Sequence, residues 1–117
     1  MKSDTVFYSI FVVTVLAMRM EVFLFPQRKL IVSGAIIHHF WIGVLFIFFA
    51  LLVPKRYTGL RIGIFSVGSG LAADELMYIV LGGRTVSEYW SLYSVSGAVV
   101  LTAIIFTIRK WLIRKII

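Results

Sequence analysis

Four apolar runs, each long enough to cross a lipid bilayer, occupy most of this chain and leave only short connections between them. They cover about residues 5–25, 30–53, 60–81 and 91–108, and a basic tail, 109–117, follows. A helix of roughly 20 residues, at ~1.5 Å per residue, matches a hydrocarbon core of ~30 Å. The breaks are Pro26-Gln27-Arg28-Lys29, Pro54-Lys55-Arg56 and Gly82-Gly83-Arg84, residues that end helices. Connections this short make successive helices antiparallel neighbours. A soluble domain would carry about 25% charged residues; this chain carries 15%, with 61% hydrophobic. The sequence therefore predicts an all-α fold, a single transmembrane domain over residues 1–117 arranged as a four-helix bundle in the cell membrane. Lys2, the apolar stretch and Val15-Leu16-Ala17 also follow a signal-peptide pattern. The segment is nevertheless expected to stay as the first span.

The net charge of +7 is explained by where the cations fall. With the N-terminus inside, the inner face holds Lys2, Lys55, Arg56, Arg61, Arg109, Lys110, Arg114 and Lys115, and the outer face holds Arg28, Lys29 and Arg84. Eight against three is a positive-inside bias, so both termini are expected in the cytoplasm and nucleic acid is not an expected partner. Tyr89, Trp90 and Tyr93 would form an outer aromatic belt, with Tyr57 and Trp111 at the inner face. The tail from Arg109 to Lys115 is expected to anchor the topology, or to lie along anionic lipid headgroups. With no cysteine, disulfides, thiolate metal sites and thiol nucleophiles are absent.

Ionisable residues inside a span cost about 2.5–3.5 kcal/mol each on insertion scales and usually mark function. Here they are Arg19 and Glu21 in the first helix, His38 and His39 in the second, and Asp74 and Glu75 in the third. By helical rise the histidines and the Asp-Glu pair fall roughly 5 Å outward of the midplane, and Arg19 and Glu21 at roughly 6–9 Å. Three helices thus bring ionisable groups to nearly one level. In the third helix, Gly63, Ser66, Gly70 and Asp74 share one face, and Gly68, Ala72 and Glu75 form a second small-residue stripe. Small residues admit close helix approach, so both stripes are expected to pack against other helices, with His38, His39 and Arg19 as partners for the acids.

Three readings of this cluster stand open. Imidazole and carboxylate suit a divalent metal such as Zn, Fe, Mn or Ni. Adjacent histidines point about 100° apart, however, whereas chelation from one helix normally uses i,i+3 or i,i+4 spacing. A His–carboxylate chain also suits proton or cation handling, and a buried ion pair that fixes helix register is the third reading. Tyr93, Ser94 and Ser96 are candidates to complete the pocket, while Trp41, one turn from His38, is expected to pack. The inner halves, such as Val44 to Ala50 and Thr102 to Ile108, are nearly all apolar, which counts against conduction. No phosphate loop, nucleophile elbow or His-x-x-x-His pair is present.

Ile37-His38-His39-Phe40 with Gly43, Gly68-x-Gly70-Leu71 with Asp74-Glu75-Leu76, and Tyr89-Trp90-Ser91 together resemble a group of small prokaryotic polytopic membrane proteins. That group shares an His-His helix, a Gly-rich helix ending in Asp-Glu and a Tyr-Trp-Ser segment. The resemblance covers residues 37 to about 100. It implies a compact polytopic protein whose His and acidic positions belong together, and it brings no activity with it. A slighter similarity, through Gly82-Gly83-Arg84 to Ser87, is to the VanZ-like membrane family; the Asp and Asn expected after that stretch are missing here.

The expectation is a multi-pass membrane protein, a homo-oligomer or part of a larger membrane complex. Its centre is an outer-half pocket of His38, His39, Asp74, Glu75 and Glu21 that binds a divalent cation. Such a pocket would serve a metal-dependent membrane enzyme with a lipid-soluble substrate. The alternatives are a non-catalytic accessory subunit and a proton- or ion-handling protein.

Overall fold

The computed structural model describes residues 2–24, 30–32, 35–37, 39–80 and 90–117. Its architecture, among the described residues, is three helices around a central fourth. Helix α1 is Ser3–Leu24, α2 is His39–Leu52, α3 is Thr58–Val80 behind a 3-10 turn at Lys55–Tyr57, and α4 is Leu92–Ile116. A short antiparallel hairpin precedes α2: β1, Leu30–Val32, pairs with β2, Ala35–Ile37, in the register Leu30↔Ile37, Ile31↔Ile36 and Val32↔Ala35. Three helical stretches, Ser3–Leu24, Lys55–Val80 and Leu92–Ile116, are long and apolar enough to cross a membrane.

Two boundaries differ from the sequence expectation, each for a physical reason. The second apolar run is not one helix over 30–53. Ile31, Val32, Ile36 and Ile37 are β-branched, and the Ser33-Gly34 pair between the two strands favours turns, so local preference selects the hairpin. What remains of α2 is 14 residues, about 21 Å by helical rise. The segment 109–117 is not a separate tail either. No Gly or Pro interrupts it, so α4 continues to Ile116, with Ile113 and Ile116 buried and Arg114 and Lys115 exposed. The other ends follow the signals: α1 stops ahead of Pro26 and α2 ahead of Pro54.

Helix α3 occupies the centre because its small residues let its neighbours approach. A Cβ built on Gly43 would lie 2.5 Å from the Gly68 carbonyl oxygen, and one on Gly68 would lie 2.8 Å from that of Gly43. The backbones of α2 and α3 therefore touch at two facing glycines. On another side, Gly70 receives Thr14 of α1, and Met77 of α3 packs into the space left by Gly97 of α4. Gly63 departs from its expected stripe, since nothing lies within 4 Å of its Cβ position.

Helices α1 and α4 run antiparallel in steady register. Asp4 pairs with Arg109 at 3.1 Å, Tyr8 donates from its hydroxyl to the Thr102 carbonyl at 3.1 Å, and Arg19 reaches Ser94 at 3.4 Å. The start of α1 and the end of α4 thus share one end of the bundle. That end is closed by an apolar core, Phe7, Ala50, Ile62, Phe65, Ile113 and Ile116, drawn from all four helices. Phe7 meets Phe65 edge-on at 5.4 Å.

Candidate functional site

The far end of the bundle carries a linked set of four ionisable side chains. Asp74, on α3, has a fully buried side chain. One of its carboxylate oxygens accepts from Arg19 Nε of α1 at 2.6 Å and the other faces His39 Nε2 of α2 at 2.8 Å. The same histidine turns Nδ1 to Glu75 Oε1 at 3.0 Å. Arg19 also donates through Nη2 to the Asp74 carbonyl at 2.8 Å and to Ser94 Oγ of α4 at 3.4 Å, and its guanidinium lies 5.4 Å from the centre of the Trp90 ring. All four helices meet here.

The local structure explains why these residues converge. His39 is the first residue of α2, where the leading backbone N–H groups have no partner within the helix. Glu75 Oε1 accepts from one of them, the Phe40 N–H, at 3.1 Å. A carboxylate from α3 therefore caps α2 and neutralises the positive end of its dipole. The facing glycines 43 and 68, one to two turns further along, bring the two helices close enough for that cap. On α4, Ser91 Oγ accepts from the Ser94 N–H at 3.3 Å as an N-cap and fixes the turn that presents Ser94 to Arg19.

Of the five expected ligands, the structure brings His39, Asp74 and Glu75 together. His38 lies outside the described residues. Glu21 is half-buried on α1. Arg19, expected only as a partner for the acids, is the clamp that joins α1 to α3. Ser94 takes part, whereas Tyr93 and Ser96 are exposed. Trp41 is 54% exposed, so it packs against Phe40 and not into the core. Tyr89 and the Gly82–Ser87 stretch lie outside the described residues.

The donor set does not fit a metal ion among the described residues, where no group of three or more His, Asp or Glu side chains is arranged to hold one. Ligation needs a bare imidazole nitrogen and carboxylates that converge on one point. Here the two nitrogens of His39 address two different carboxylates, and the second Asp74 oxygen holds a guanidinium. Among the described residues, His39, Asp74 and Glu75 thus form a hydrogen-bonded network and not an assembled Zn, Fe, Mn or Ni set.

A second buried charge escaped the sequence reading. Arg61, 5% exposed, was expected as one of the inner-face topology charges. Its Nε donates to the Ile116 carbonyl at 3.0 Å, and its Nη1 donates to the carbonyls of Leu51, at 3.3 Å, and Val53. The guanidinium thereby closes the C-terminal ends of α2 and α4 together, the sign of charge those ends attract. The available signal was its place in the periodic face of α3, one position before Ile62 and four before Phe65. Among the described residues, every buried side-chain nitrogen and oxygen has a hydrogen-bond partner.

The site defines a helical bundle with a buried, hydrogen-bonded Arg–Asp–His–Glu network at one end. No family model, curated protein or solved structure matches the chain.

Proposed function

We propose that this chain is a multi-pass membrane protein of the proton-handling class, with His39 as the group that holds and exchanges the proton. The observation that carries the reading is the imidazole held between two carboxylates, with Asp74 at Nε2 and Glu75 at Nδ1. A ring with an acceptor at each nitrogen donates from both, which is the imidazolium form. Two cations, Arg19 and His39, then balance two anions, Asp74 and Glu75. Removing the His39 proton takes one N–H donor from between the two carboxylates, while Asp74 keeps Arg19 and Glu75 keeps the Phe40 N–H, so the network has two states that differ by one proton.

Three apolar helices of spanning length support the membrane setting. The end that holds both chain termini also holds eight of the twelve cations, which supports a cytoplasmic assignment for it. The network then lies in the outer half, since Asp74 is six residues, about 9 Å, from the end of α3 at Val80. Phe7, Phe11 and Phe65 are buried and close the inner half. Proton exchange is therefore with the outer side, and a through-path in one copy is not part of the reading.

The test is nitrogen-15 NMR of the histidines in bilayers at near-neutral pH, with His39→Gln and His38→Gln variants to assign the signals. A ring protonated at both nitrogens, absent only in His39→Gln, is expected, and its signal should respond when the outer pH alone is changed. A neutral ring overturns the reading. So does an imidazolium that responds to neither side, which would make the network a structural lock in an accessory subunit.

A further inference from the structure

An apolar groove opens between α2 and α3 at the basic end. It has a volume of ≈ 470 Å³ and is lined by Phe46, Phe49, Leu52, Val53, Pro54 and Ile64. Where the groove stops, at Pro54, the chain enters the 3-10 turn with two cations in succession, Lys55 and Arg56, both exposed. The Arg56 guanidinium lies 4.9 Å from the centre of the half-exposed Tyr57 ring. Beneath this turn, Arg61 holds the carbonyls of Leu51 and Val53. That bond fixes the last turn of α2 and with it one wall of the groove.

We infer that this groove and the Lys55-Arg56 pair form a binding site for one anionic phospholipid, its acyl chain in the groove and its phosphate on the two cations. The occupant follows from two features of different chemistry that meet at one place. An apolar trough takes a hydrocarbon chain, and adjacent cations at its mouth take an anion. Arg61 is occupied by carbonyls, and Asp4, an acid at this end of the bundle, is occupied by Arg109. The corner thus keeps an uncompensated positive charge, and its level matches that of headgroups if the apolar helices span. The inference rests on the membrane reading of the chain but not on the proton reading of His39.

The test is native mass spectrometry of the full chain released from detergent, with phosphatidylglycerol, phosphatidylcholine and diacylglycerol of identical acyl chains, and inorganic phosphate alone. About tenfold tighter retention of phosphatidylglycerol than of phosphatidylcholine is expected, because two cations favour a headgroup of net negative charge over a zwitterionic one. Lys55→Gln with Arg56→Gln should bring the two lipids to parity. Leu52→Trp, which fills the groove, should weaken both. Equal retention of the two lipids by the native chain overturns the inference. So does a preference that survives Lys55→Gln/Arg56→Gln and disappears in Arg114→Gln/Lys115→Gln, which would move the site to α4. Tight binding of phosphate alone, with no gain from an acyl chain, overturns it as well. Failure of the membrane reading shows separately, as release of the chain from cell membranes by alkaline carbonate.

Discussion

Asp74 is the residue on which the network turns, because its two carboxylate oxygens serve two different helices. Arg19 of α1 takes one and His39 of α2 takes the other, with the side chain fully buried. Losing one partner of a buried charge pair leaves the other charge uncompensated, at a cost of about 3–5 kcal/mol. Asp74→Asn should therefore lower stability by about that amount, read from unfolding in mixed micelles. Arg19→Met combined with Asp74→Leu removes both charges and should cost less than Asp74→Asn alone. A double variant as unstable as the two single losses added together would show that the pair does not act as a unit. Arg61 acts differently, since it binds carbonyls and no carboxylate among the described residues. Arg61→Met should cost ~2–3 kcal/mol, the scale of charged hydrogen bonds. Amide exchange should accelerate in the last turns of α2 and α4 and stay unchanged around Asp74. Acceleration throughout α3 would contradict that local role.

At the scale of elements, glycine separates the contacts that organise the bundle from positions that merely lie on α3. Gly43 and Gly68 face each other with no room for a methyl group, and Gly70 faces Thr14 in the same way. Gly59, on the same α3, has nothing within 4 Å. Gly68→Ala should push α2 away from α3, lower stability and loosen the Glu75 cap on the Phe40 N–H. Gly59→Ala should be neutral or stabilising by about 0.5–1 kcal/mol, the helix-propensity gain. Paired unfolding curves check this, and equal effects at the two sites would refute the packing argument. The same contrast shows how far sequence carries. The small-residue stripes and the shared level of Arg19, His39, Asp74 and Glu75 were legible, because helical rise and periodicity fix them without knowledge of partners. Gly63 was misread, since periodicity assigns a face but not what lies opposite. The start of α2 was hidden because an apolar run rich in Ile and Val serves a strand or a buried helix equally. Arg61 was hidden because a cation near a span boundary looks the same whether it faces water or three carbonyls.

The whole molecule is polarised along its length, and this decides how it would sit in a bilayer. The molecule measures 40 Å along its longest axis, comparable to the roughly 40–45 Å of a bilayer with its headgroup regions. One end holds the Asp4–Arg109 pair, the Arg61 cap and the exposed cations Lys2, Lys55, Arg56, Lys110, Arg114 and Lys115. The other end holds the Arg19–Asp74–His39–Glu75 network. Between them the outer surface is apolar, with Val13, Leu16, Phe48, Leu60, Val99 and Ile104 each at least 47% exposed. The antiparallel pairing of α1 and α4 puts the start of one and the end of the other at the basic end, on one side of a bilayer if these helices span it. The chain has no cysteine, so single cysteines report on sidedness without background. Cysteines placed at Ser3 and Lys110 should react with a membrane-impermeant maleimide only after the cytoplasmic side is opened. One at Ser87, in the connection between α3 and α4, should react in intact cells. A cysteine at Val99, on the apolar flank of α4, should resist from both sides. Labelling of Ser3→Cys and Lys110→Cys from opposite sides would break the antiparallel pairing of α1 and α4. Labelling of both from outside would keep the fold and invert the orientation, moving the His39 network to the cytoplasmic half.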